Sequence, residues 1–156
     1  MNKEKFPRGK RSVEEKRGEL RGEDLAGVWL AGADLKGADM QDANLEGADL
    51  KNAYLRNAIL EGADLRNAIL EGADLIDVDL KGANLEGAEL KDAKLVNADL
   101  RGADLRGANL SHANMQDTNL FRINLNGADL FRTNLKGVDM TGVDISNAFL
   151  DKWADN

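Results

Sequence analysis

The stretch Arg56–Leu65, RNAILEGADL, is followed without a break by the same ten residues at Arg66–Leu75. In each copy Leu stands at the fifth and tenth places, with Ala two places before it. Working outward, the rule holds far beyond the duplication. From 20 to 150 every residue number divisible by five is Leu, except Met40, Met115, Met140 and Ile145, and all 23 leucines of the chain lie in this register. Two places before these positions, 18 of 27 residues are Ala; two places after, 23 of 27 are Gly, Asn or Asp. A period of five would smear the leucines around a helix. On a plain strand it would send them to alternate faces, because five is odd. The pattern instead predicts a short extended segment followed by a corner. Ala and Leu, two apart, point inward, and the residue between them points out. Gly, Asn and Asp supply the positive φ that a tight repeated corner needs.

The unit Ala-(Asp/Asn)-Leu-X-X, as in Ala33-Asp34-Leu35-Lys36-Gly37 and Ala83-Asn84-Leu85-Glu86-Gly87, resembles the pentapeptide-repeat family over about residues 18–150. The resemblance implies an all-β fold, a right-handed quadrilateral β-helix with four pentapeptides per coil and residue n stacked on n+20. The repeats then make about seven coils, a rod roughly 32 Å long at about 4.8 Å per coil. The duplicated decapeptide is half a coil, so its two copies occupy opposite sides. We label the four sides A to D by Leu60, Leu65, Leu70 and Leu75 and their relatives 20 residues away.

The expected organisation is a basic tail and cap over 1–17, the β-helix over 18–150, and a C-terminal cap over 151–156. Ser12-Val13-Glu14-Glu15 has the form of a capping box, which predicts a short helix around 13–17 lying over the first coil. Glu23, where Ala is usual, predicts an imperfect first coil. Phe149, Leu150 and Trp153 are available to cover the last coil or to contact a second copy, giving a homodimer through the C-terminal end.

Net charge is −7, divided unevenly. Met1–Arg17 holds seven basic and three acidic residues, the remainder 14 basic and 25 acidic. The basic segment has one aromatic, Phe6, and an acidic body behind it, so DNA binding is not expected. There is no Cys, no apolar run of membrane-spanning length, and no apolar middle of a signal peptide in the first residues. A cytoplasmic protein without membrane contact is the expectation.

Catalytic, cofactor and metal sites are not expected. His112 is the only histidine, and the carboxylates are diluted by Asn, Arg and Lys. A triad lacks its parts, and no phosphate-binding glycine loop of the GxxxxGK form occurs. What remains is surface. Side B carries the column Asp24, Asn44, Asp64, Asn84, Asp104, Asn124, Asp144, flanked by Glu46, Arg66, Glu86 and Arg106. Alternation of Asp with Asn and of Glu with Arg is expected to relieve like-charge stacking. Side D carries Tyr54, Ile76 and Val96, a candidate contact stripe for a partner. The function expected is a non-enzymatic scaffold that presents flat faces to a protein partner. The alternative comes from the resemblance: some family members imitate duplex DNA and protect or inhibit type II topoisomerases, giving quinolone resistance. Glu46, Asp64, Glu86, Asp104 and Asp144 would then be the acidic mimic face. The body holds about one net charge per 3 Å, against about one per 1.7 Å for duplex DNA.

Overall fold

In the computed structural model, which describes residues 9–150, the pentapeptide is one side of a square. From Asp24 with Asn44 through to Asp129 with Phe149, each side pairs in parallel with the side 20 residues on, Asn119 excepted. Each side contributes one paired residue, because the corner returns after three extended residues. The all-β expectation is therefore met by stacked single pairs and not by long strands.

One repeat shows how the main chain is satisfied. Asp64 N–H donates down to the Ala43 carbonyl (2.9 Å), and Leu65 N–H donates up to Asn84 (2.7 Å). Asn67 N–H donates up to Glu86 (3.0 Å), and Ala68 N–H closes the turn on Leu65 (3.0 Å). The fifth amide, Arg66 N–H, donates to Oδ1 of Asp64 (3.2 Å). All five donors are used, as a buried backbone requires. The closing bond makes each corner a four-residue turn whose third residue has positive φ. That holds at every such position from Gly22 to Asn147.

Inside, Leu, Met and Ala stack into one core from Leu20 to Leu130. Each buried Leu contributes about 1.5–3 kcal/mol, offset by the cost of ordering the chain. The core opens beyond Leu130: Leu135, Val138 and Met140 are half-buried, and Ile145 and Leu150 are exposed. Nothing among the described residues lies above them.

The N-terminal helix differs from its expected position. It spans Lys10–Glu15 (α1), follows Gly9 at φ 55°, and has no side-chain cap, so Ser12 lies within it and forms no capping box. Tertiary contacts set its place. Val13 is fully buried, the Glu14 carboxylate accepts the Asp34 N–H (2.9 Å), and Lys10 Nζ donates to the Ala31 carbonyl (2.6 Å). Asp34 has no coil below it to supply a carbonyl, and Glu14 substitutes for one. A single 3₁₀ turn, Arg17–Glu19, leads into the first side, with the Arg17 carbonyl accepting the Asp39 N–H (2.9 Å). The first coil is regular at Glu23, whose carbonyl accepts Asn44 N–H (2.9 Å) and whose side chain is half-exposed. The irregularity is confined to the side chain: this inward place is half-exposed, whereas the corresponding places from Val28 to Ala128 are buried. Of the expected basic tail and C-terminal cap, residues 1–8 and 151–156 lie outside the described residues.

Candidate functional site

Function has to be sought on the outward positions, and the residue between Ala and Leu is the first of these. Where it is Asp or Asn it does more than face solvent: its side-chain oxygen accepts the N–H two residues on. Asp49 to Lys51 (3.1 Å) and Asn84 to Glu86 (3.1 Å) are examples. Sequence reasoning missed this role. The signal was present, since Asp and Asn dominate there while Glu and Gln are nearly absent, and only the short side chains reach back into the turn. Trp29, Tyr54, Ile59 and Ile69 forgo that bond and are exposed apolar groups instead. They lie on sides C, D, A and C, so they band the rod and do not merge into one patch.

On side B the expected Asp–Asn hydrogen bond forms at Asn44 to Asp24 (3.1 Å). Further up, Arg66 clamps Asp64 (2.6 Å) and reaches Glu46 one coil below (3.2 Å). Arg106 does the same with Asp104 (2.7 Å) and Glu86 (3.0 Å). Hydrogen bonds from these arginines hold the Asp64 and Asp104 carboxyls below the usual range. Asp144 is lowered by the Ser146 hydroxyl and backbone. Four of the five candidate mimic carboxylates thus face an arginine of their own chain.

On side D, Lys36 Nζ sits 5.0 Å from the centre of the Tyr54 ring. Ile76 and Val96 stack one coil apart on the outside of the same side. Between Tyr54 and Ile76 the Arg56–Asp74 ion pair (2.7 Å) takes the crossing diagonal. That pull removes Asp74 from the turn bond its equivalents make and leaves its Oδ1 buried without a partner.

Among the described residues three corners break the Gly/Asn/Asp rule: His112, Arg122 and Arg132. Arg122 lies over Phe121, Arg132 lies over Phe131 (both 5.1 Å), and the His112 ring meets Phe131 edge-on at 5.6 Å. No group of His, Cys, Asp or Glu able to hold a metal ion occurs among the described residues. No described helix is long and apolar enough to cross a membrane. At the open end, a cavity of about 570 Å³ is lined by Leu135, Met140, Ile145 and Leu150 among others. Phe149 pairs with Asp129 and is exposed, while Trp153 lies outside the described residues.

No curated protein matches the chain significantly. Among solved structures, the pentapeptide repeat protein Rfr23 from the cyanobacterium Cyanothece 51142 is 30% identical, with 94% of this chain and 99% of that one covered and a TM-score of 0.52. A pentapeptide repeat protein from the Arabidopsis thaliana thylakoid lumen is 34% identical (87% and 74% covered, TM-score 0.45). Trypsin-treated QnrB1, a plasmid-mediated fluoroquinolone resistance protein, is 20% identical (88% and 86% covered, TM-score 0.48). The description "Pentapeptide repeats" matches in eight copies across residues 19–57, 48–87, 83–120 and 118–152. With that pattern running through nearly the whole chain, and with the stacked square coil it prescribes, the protein belongs to the pentapeptide-repeat family.

Proposed function

We propose that the protein is a non-catalytic interaction module that offers flat faces to a protein partner. The pairing of n with n+20 around all four sides carries this reading. It fills the interior with nearly invariant Leu and Ala and holds the outward side chains in straight columns, so chemical individuality is confined to the surface. Side D, with Tyr54, Ile76 and Val96, is the proposed contact stripe, and the cytoplasm the proposed compartment. Placing a photo-crosslinking residue at Tyr54 on side D, or at Asn84 on side B, tests it in native lysate. One partner captured from side D alone, and lost in Ile76→Ser/Val96→Ser with melting unchanged, is the expected result. Equal capture from both sides would sink the assignment.

A homodimer through the C-terminal end is a second reading, favoured by the exposed Ile145, Phe149 and Leu150. Sedimentation equilibrium of the full chain and of Ile145→Lys should show a dimer in the first only. DNA mimicry is the weaker reading, because Arg66 and Arg106 neutralise the carboxylates that would carry it. Supercoiling by purified gyrase is expected to be unaffected by a stoichiometric excess of this protein; inhibition would restore the mimic reading.

A further inference from the structure

Among the described residues the regular pairing fails at one place. Asn119 pairs with Asp99 below it, and the next side along pairs Asn124 with Asp144, but Asn119 does not pair with Asp139. The bonds that a regular side would form here are missing. Leu120 N–H, Arg122 N–H and Asp139 N–H find no backbone acceptor among the described residues, although their equivalents Leu100, Gly102 and Asn119 each do. The upper side is not unfolded. Asp139 still accepts the Thr141 N–H (2.9 Å), and Val143 still closes its turn on Met140 (3.2 Å). Two formed sides therefore stand apart, with a cavity of about 320 Å³ between them lined by Thr118, Leu120, Phe121 and Asp139 among others.

A second cavity of about 320 Å³ adjoins it and shares Phe121; Lys81, Arg101, Gly102 and Arg122 complete its lining. Lys81, Arg101 and Arg122 follow one edge over three successive coils. Lys81 is paired with Asp79 (2.8 Å) and Arg101 with Asp99 (2.6 Å). Arg122 has no carboxylate partner among the described residues and lies against the ring of Phe121, which is 60% exposed. Its φ of 61° is a conformation costly for an Arg. An exposed aromatic, a strained arginine and two unpaired backbone amides meet at one edge of an otherwise regular rod.

We propose that this edge binds an extended acidic peptide segment of a partner protein, which adds as a strand along Leu120–Arg122 and sets a carboxylate against Arg122. The unpaired Leu120 and Arg122 N–H groups, two residues apart on the upper edge of this turn, are satisfied by carbonyls of another extended backbone. Arg122, which has no carboxylate partner among the described residues, selects an acidic side chain on it, and Phe121 supplies apolar contact. The inference rests on the interaction-module reading and names the chemistry of one docking site for it.

The test uses the full chain and a fluorescein-labelled peptide of alternating glutamate and valine, followed by anisotropy. The expected result is saturable binding that weakens at least about tenfold with a lysine–valine peptide, with a backbone N-methylated glutamate–valine peptide, and in Phe121→Ala/Arg122→Gly. Amide exchange at Leu120 and Arg122 should be fast in the free protein and slow at least about tenfold on binding. Arg122→Gly relieves the strained corner, so a loss of binding there with melting temperature kept or raised is not a folding failure. No binding, equal binding of the lysine or N-methylated peptide, or amides already protected in the free chain would each overturn the proposal. In that event, side-specific crosslinking at Tyr54 would still stand or fall separately, and with it the broader reading.

Discussion

At His112, Arg122 and Arg132 the backbone takes φ of 59°, 61° and 54°, in corners that elsewhere among the described residues hold Gly, Asn or Asp. A branched or long side chain there costs roughly 1–2 kcal/mol, while Gly in its place loses part of that gain to a freer unfolded chain. Arg132→Gly should therefore stabilise the protein by about 0.5–1 kcal/mol, read as an upward shift in thermal midpoint. A fall would mean that stacking on Phe131 outweighs the strain. The three exceptions were visible in the sequence as residue types out of place. What they touch was not, because Phe131 reaches His112 only when coils stack 20 residues apart.

Within one side of the square, the Asp or Asn between Ala and Leu supplies the acceptor for the amide two residues on. Asn84→Ala should cost about 0.5–1.5 kcal/mol by chemical denaturation, the range for one hydrogen bond, though the side chain is outward and touches no core. Asp64, Asp99 and Asp104 add a pH dependence. Arg66, Arg101 and Arg106 hold these carboxyls below their ordinary value in the folded chain. The folded form thus binds fewer protons than the unfolded one. This contribution is fully present above the ordinary Asp pKa of about 3.9 and disappears as pH falls through the lower folded values. Thermal midpoints should drop between about pH 5 and about pH 2, and more gently in Arg66→Ala/Arg106→Ala. Identical profiles would show that the arginines do not set the effect.

Across the whole molecule, position in the stack decides the worth of a leucine. Leu130 and Leu150 occupy the same column on side C, yet Leu130 is 3% exposed and Leu150 43%. Leu130→Ala should cost about 2–5 kcal/mol, whereas Leu150→Ala should cost under about 1 kcal/mol, by equilibrium denaturation. Solenoids propagate stability between neighbours, so the coil with a neighbour on one side only is the first to open. Leu70→Lys, in the middle of the same column, should unfold several coils, while Arg66→Ala should change stability little.

The sequence by itself determined the five-residue side, the inward Leu and Ala, the positive-φ corner and the family, because each follows from spacing repeated along the whole length of the rod. It also placed side chains into columns, since a period of 20 is arithmetic. Only the tertiary structure decided which column neighbours bond. Arg66 chose Asp64 and Glu46, Arg56 drew Asp74 out of its turn, and Glu14 filled the place of a missing coil below Asp34. It alone showed the parted sides at Asn119 and Asp139. Local spacing dictates a repeated backbone, but rotamers, ion pairs and the ends of a stack depend on neighbours 20 residues away that a local pattern does not encode.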